Sequence, residues 1–145
     1  MKRKWFAAVA TPLLMMGLLV ACSGGTENAA SITPGAGDTQ RWAVITPQQL
    51  KDMMAKQDVY LVNVHVPYEG EITGTDSFIP YTEIASRLSE LPFDKQPVVI
   101  YCRSGVTSGQ AAEAMAAAGA PHFFELQGGY LAWQAAGFPF QVKGE

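Results

Sequence analysis

The sequence predicts an α/β fold in which a parallel sheet carries helices on both faces. Three observations lead there. Short apolar runs recur at Trp42–Ile45, Val59–Val64, Phe78–Tyr81, Pro97–Tyr101 and His122–Leu126. Segments with helix-start and helix-stop residues separate most of them. The clearest run, Pro97-Val98-Val99-Ile100-Tyr101, is continuously apolar rather than alternating, as in a parallel strand covered on both faces. Strands that alternate with helices imply a parallel sheet, and such sheets bind ligands where the strands end and lead into helices.

The elements follow in order. Trp42–Ile45 is a first strand. Thr46-Pro47 opens a helix, with Thr as N-cap and Pro at the first helical position; Leu50, Met53 and Met54 give it an apolar stripe. Val59–Val64 is a buried strand rich in β-branched residues. A polar, glycine-containing excursion runs from Pro67 to Ser77, and Phe78–Tyr81 forms a short strand that Pro80 closes. Thr82 is expected to cap a second helix, with Ile84, Leu88 and Leu91 on one face. Pro97–Tyr101 leads to Cys102 and a loop through Gly105. An Ala-rich helix from about Thr107 to Ala118 follows, stopped by Gly119 and Pro121. After the strand to Leu126, Gly128-Gly129 introduces a last helix, Tyr130–Ala136.

Apolar residues make up 48% and charged residues 16% of the 145, enough for a packed core and against wholesale disorder. No basic stripe appears, which argues against nucleic acid as a partner. The start of the chain reads as an export signal: Lys2, Arg3 and Lys4 precede an apolar stretch, Trp5–Val20, that contains Pro12 and falls short of the ~20 residues of a membrane span. Leu19-Val20-Ala21-Cys22 resembles a bacterial lipobox. That resemblance implies cleavage before Cys22 and a diacylglycerol on its sulfur, hence an exported protein lipid-anchored to the cell envelope on the periplasmic side; Ser23 in place of Asp is similar to the outer-membrane pattern. Loss of residues 1–21 leaves 7 basic against 13 acidic residues, a charge of −6. Residues 22–41, small and polar, read as a tether, and residues 42–142 as one domain.

With Cys22 lipidated, Cys102 has no intrachain partner among the two cysteines. A free thiol in an exported protein calls for a reason, because such compartments favour disulfides. Cys102-Arg103-Ser104-Gly105-Val106-Thr107-Ser108 supplies one. A sulfur nucleophile must be a thiolate, and free Cys ionises only near ~8.5. The following helix points its positive end at the loop. Gly105 permits successive N–H groups to converge, Arg103 adds a fixed charge, and Ser104, Thr107 and Ser108 add hydroxyls. The expected result is an ionised, accessible Cys102.

Val98-Val99-Ile100-Tyr101-Cys102-Arg103-Ser104-Gly105 resembles the active-site signature of single-domain rhodaneses. Leu61-Val62-Asn63-Val64-His65-Val66-Pro67-Tyr68-Glu69 is similar to that family's Leu-Val-Asp-Val-Arg segment with its Pro and Glu, and Leu126-Gln127-Gly128-Gly129-Tyr130-Leu131-Ala132-Trp133 to its closing Leu-x-Gly-Gly-x-x-x-Trp. The resemblance implies a three-layer fold around a five-stranded parallel sheet and a sulfurtransferase in which Cys102 is the nucleophile. A small donor (thiosulfate, polysulfide or persulfide) would load Cys102 as a persulfide, and a thiol or cyanide would remove the sulfur, with residues 103–107 binding the anion. Asn63 and His65 stand where the family has an Asp and an Arg that brace the loop. Cysteine phosphatases, which share the fold, need an Arg where this chain has Ser108.

His65 is expected to brace the loop by a hydrogen bond to Asn63 or to backbone, with proton shuttling as the lesser role. Glu69 and Glu71 read as a solvated loop near the site, Tyr130 and Trp133 as core. Two His without a Cys-x-x-Cys pattern give no metal site, and no cofactor is called for. The chain reads as a monomer. The competing reading is a catalytically silent rhodanese-fold module that binds proteins at the envelope.

Overall fold

The computed structural model describes residues 41–142. The expected leader at 1–21, lipidation at Cys22 and the tether, save Arg41, lie outside the described residues. The strands are β1 (Trp42–Ile45), β2 (Tyr60–Asn63), β3 (Glu71–Ile72), β4 (Thr75–Phe78), β5 (Val98–Tyr101), β6 (Phe123–Leu126) and β7 (Phe140–Gln141). The helices are α1 (Pro47–Lys56), α2 (Val106–Ala117) and α3 (Gly129–Ala135). Five strands form one parallel sheet in the order β1-β6-β5-β2-β4, so β5 is its middle strand.

Alternation along β5 builds the three layers. Val98 and Ile100 join Val62, Ala111, Ala112 and Met115 in one core, which places α2 on that face. Val99 and Tyr101 join Leu61, Leu50, Tyr130 and Trp133 in the other, which places α1 and α3 opposite. All four β5 residues are at most 1% exposed, hence the unbroken apolar run in the sequence. The start of α1 is a full capping box. Thr46 Oγ1 accepts from Gln49 N at 3.2 Å, and Gln49 Oε1 accepts from Thr46 N at 2.8 Å.

Two expectations need correction. The strand expected at Phe78–Tyr81 lies earlier, at Thr75–Phe78. It is an edge strand with alternating exposure, so polar Thr75, Asp76 and Ser77 suit it. Asp76 Oδ2 accepts from Leu61 N at 2.8 Å where the β2–β4 register shifts. The helix expected after Thr82 is instead two 3-10 turns, Ile84–Ser86 and Leu88–Glu90. Its apolar spacing is helical, but the chain leaves the helix at Arg87 (φ −115°, ψ 20°), and Leu91, held extended before Pro92, cannot continue it. The polar excursion also contains β3, which pairs antiparallel with β7 in a small second sheet. Among the described residues, no helix is long and apolar enough to cross a membrane.

Candidate active site

Cys102 follows the last residue of β5, and α2 begins four residues on. Gly105 makes the turn between them possible with φ +95°, a left-handed conformation open to glycine at little cost. The turn brings Gly105 N to 3.1 Å from Cys102 Sγ as a donor. Ser108, in the first turn of α2, sets its Oγ 3.4 Å from the same sulfur. Thr107 Oγ1 is buried and meets no partner at hydrogen-bond geometry, yet its hydroxyl lies near enough to help hold a thiolate. Burial pushes the thiol up, but the donors of Ser108, Thr107 and Gly105 outweigh it and hold Cys102 below its ordinary value.

Cys102 is 1% exposed. The expectation of an open thiol is therefore corrected: the sulfur sits at the bottom of its loop, reached by polar groups and covered by protein. The Gly128-Gly129 turn packs against the backbone of this loop. Tyr130 N and Leu131 N donate to the carbonyls of Cys102 and Arg103 at 2.9 and 3.1 Å, which ties both carbonyls to the start of α3. Gly129 has φ +58°, and a Cβ there would meet the Cys102 carbonyl and lie 2.5 Å from the Arg103 carbonyl oxygen.

A second set of residues joins the loop after β2 to the Cys102 loop. Asn63, fully buried at the end of β2, donates Nδ2 to Gly70 O at 2.9 Å and accepts from His65 N at 3.0 Å. One amide thus closes the loop 64–70 by using both ends of its side chain. His65 takes part through its backbone, whereas neither ring nitrogen has a hydrogen-bond partner; Nε2 is 3.6 Å from Glu69 Oε2, and the ring meets Tyr130 edge-on. Glu69 is the hub. It accepts from the Tyr130 hydroxyl and from Arg103 Nη1 at 3.2 Å. The Tyr130 bond, helped by Arg103 and His65, holds the Glu69 carboxyl below the usual range. The latch is therefore intact at ordinary carboxylate pKa values and above, and opens as pH falls through the lowered value. Burial and then Glu69 push the Tyr130 phenol up to about 12, so it remains a donor.

Glu69 lies in an exposed loop, as expected, and in addition bridges Tyr130 and Arg103. Glu71 is not solvated; it is 5% exposed and accepts from Gln141 Nε2 at 3.3 Å. The Arg103 guanidinium turns to Glu69, Ser104 points outward, and Val106 is 65% exposed at the start of α2.

Sequence reasoning passed over two supports. The Tyr101 hydroxyl accepts from Ile72 N at 3.0 Å and donates to Thr75 Oγ1 at 2.6 Å, while Thr75 donates to Ile72 O at 2.7 Å. This closed ring pins β3 and β4 to the end of β5, beside Cys102. Glu125, 7% exposed in β6, accepts from Ser108 Oγ at 2.8 Å. A charged residue inside an apolar strand was the available signal. Among the described residues, no three His, Cys, Asp or Glu are grouped to hold a metal ion.

The rhodanese-like domain family matches residues 46–136. An uncharacterised Synechocystis protein is 36% identical over 107 residues, covering 72% of this chain and 59% of its own length. A protein of Allochromatium vinosum named sulfurtransferase is 40% identical over 86 residues, 57% of this chain and 78% of that one. The rhodanese-related protein of Thermoplasma volcanium superposes with a TM-score of 0.59 over 69% of this chain and 98% of its own, at 21% identity, a likeness of fold.

Proposed function

The chain belongs to the rhodanese-like domain family, and we propose that it is a sulfurtransferase that carries sulfane sulfur as a persulfide on Cys102. The observation that carries this reading is the Gly105 N–H aimed at Cys102 Sγ at 3.1 Å, with Ser108 Oγ 3.4 Å from the same sulfur, around a thiol held below its ordinary value. In the first half-reaction the Cys102 thiolate attacks the sulfane sulfur of a donor. A Cys–S bond forms, the donor's sulfur bond breaks, and the leaving group departs with the electron pair. In the second, a thiolate or cyanide attacks the outer sulfur, and Cys102 regains its thiolate. Thr107, with no partner of its own, is the hydroxyl available to the outer sulfur.

The Arg103–Glu69 pair favours neutral donors and thiols over the thiosulfate dianion. Arg103, the loop's cation, is already matched by Glu69 at 3.2 Å. A catalytically silent module draws little from the replaced Asp–Arg pair, because Asn63 and Glu69 supply a brace of their own. We extend the proposal to place: the sequence Leu19–Cys22 supports lipid anchoring at the envelope, periplasmic side, of a domain that we take as a monomer.

Mass spectrometry after incubation with polysulfide tests the chemistry. One added sulfur on Cys102, lost on treatment with cyanide with release of thiocyanate, is the expected result. No mass gain with polysulfide, thiosulfate or a persulfide, or thiocyanate release by Cys102→Ser at the unsubstituted rate, would overturn it.

A further inference from the structure

Glu125 sits where an apolar residue would be cheaper. It lies in β6 between Val44 of β1 and Ile100 of β5, it is 7% exposed, and among the described residues no basic side chain pairs with it. Its carboxyl reaches over α2 at Gly109, where a Cβ would lie 3.7 Å from Oε1. A buried carboxyl without a cation calls for a reason.

Hydrogen counting supplies one. Ser108 owns a single hydroxyl proton, yet its Oγ faces Cys102 Sγ at 3.4 Å, Gly105 O at 3.2 Å and Glu125 Oε1 at 2.8 Å. If Glu125 is ionised it takes that proton, and the sulfur must then hold its own and donate it to Ser108. If Glu125 is neutral, it donates to Ser108 Oγ and frees the serine hydrogen for a thiolate. The sulfur and the carboxyl are thus two ends of one chain with Ser108 in the middle.

We propose that Glu125, through Ser108, receives the proton that leaves Cys102, so that the pair holds one negative charge and one proton between them. In the transfer the S–H and Ser108 O–H bonds break, and new Ser108 O–H and Glu125 O–H bonds form. Ser108 ends as it began, with its hydroxyl reversed, and no proton enters or leaves the buried site. Glu125 is a positioning residue, since it meets neither donor nor acceptor. The groups that face it are consistent with this role. Burial pushes its carboxyl up, the Glu113 carboxylate of α2 adds to the rise, and the Ser108 hydroxyl and Trp42 N–H of β1 oppose it without reversing it. A carboxyl that is raised and a thiol that is lowered are the directions that one proton shared between them would give.

The role in turnover rests on Cys102 as the persulfide carrier, which the mass gain tests separately. The proton coupling itself is read without turnover, on the full chain, by following thiolate absorbance against pH. Two sites that share a proton ionise over a range broader than one proton allows, with the ends displaced by about one pH unit or more. The unsubstituted chain is expected to show that broad curve, and Glu125→Gln and Ser108→Ala to narrow it to a one-proton curve. Superposable one-proton curves in all three would overturn the proposal. Infrared spectra of the unsubstituted chain with labelled glutamate guard against variants that fail to fold. A protonated buried carboxyl that persists at pH values where the thiolate is present supports the shared proton. A carboxyl band lost before any thiolate appears would refute it.

Discussion

Replacing Gly129 with alanine separates backbone preference from close packing at the active-site loop. Two costs apply. An L-residue at φ +58° costs roughly 1–2 kcal/mol. The added methyl would lie 2.5 Å from the Arg103 carbonyl oxygen and against that of Cys102, and overpacking of this kind costs about 1–3 kcal/mol more. The sum is about 2–5 kcal/mol, a large share of the ~5–15 kcal/mol that holds a domain together, and roughly 10 °C or more in melting temperature. Gly137→Ala is the internal control. Gly137 has φ +79°, and a Cβ there meets nothing within 4 Å, so it bears the backbone cost alone. Urea unfolding of both variants, with the rate of Cys102 alkylation measured beside it, reads the difference. Gly129→Ala is expected to lose more stability than Gly137→Ala and to alter Cys102 reactivity, because the Tyr130 and Leu131 amides are pushed off the loop carbonyls. Equal losses, with unchanged Cys102 reactivity in both, would refute the idea that this turn fits the loop.

Three further outcomes are expected. Tyr101→Phe leaves Ile72 N–H without its acceptor and should cost about 1–3 kcal/mol in urea unfolding. Thr107→Val removes a buried hydroxyl that meets no partner at hydrogen-bond geometry while Cys102 holds its proton, so stability at low pH should hold within about 0.5 kcal/mol. The Cys102 thiol should rise, because one of its lowering donors is gone. A thiol lowered in the folded state adds stability above the unfolded thiol value and loses it as pH falls through the folded value, so the urea midpoint of Thr107→Val should gain less between neutral and alkaline pH. Glu69→Gln removes the partner charge of Arg103 and should raise kcat/KM for thiosulfate about two- to fivefold relative to a neutral donor, measured by thiocyanate release.

Much of the frame is written locally in the chain. β5 is legible because both faces of the sheet demand apolar residues there, and α1 because Thr46, Pro47 and Gln49 are start signals that act within one turn. The Cys102 loop is legible for the same reason, since strand, Gly105 and helix follow one another without interruption. What escapes is set by distant partners. Thr75-Asp76-Ser77 has no apolar pattern because an edge strand needs none, and β3 and β7, two residues each, pair across 70 positions. The apolar spacing of Ile84, Leu88 and Leu91 overstates a helix that breaks at Arg87 and cannot continue at Leu91 before Pro92. At the site, Glu69 and Tyr130 are 61 residues apart, and Ser108 and Glu125 are 17 apart on different elements. Only the fold brings each pair together, so their side chains read as loop or core until it does.

The proposed sulfur transfer begins with an ionised Cys102, and the loop donors are what would loosen its proton. The direct test is the pH dependence of Cys102 alkylation by a small reagent in the folded chain and in the same chain unfolded in urea. The folded chain should reach its half-maximal rate at a clearly lower pH than the unfolded one, whose thiol ionises near ~8.5. Coincident profiles, or a folded profile displaced to higher pH, would mean that burial outweighs the loop donors and would contradict a thiolate nucleophile here.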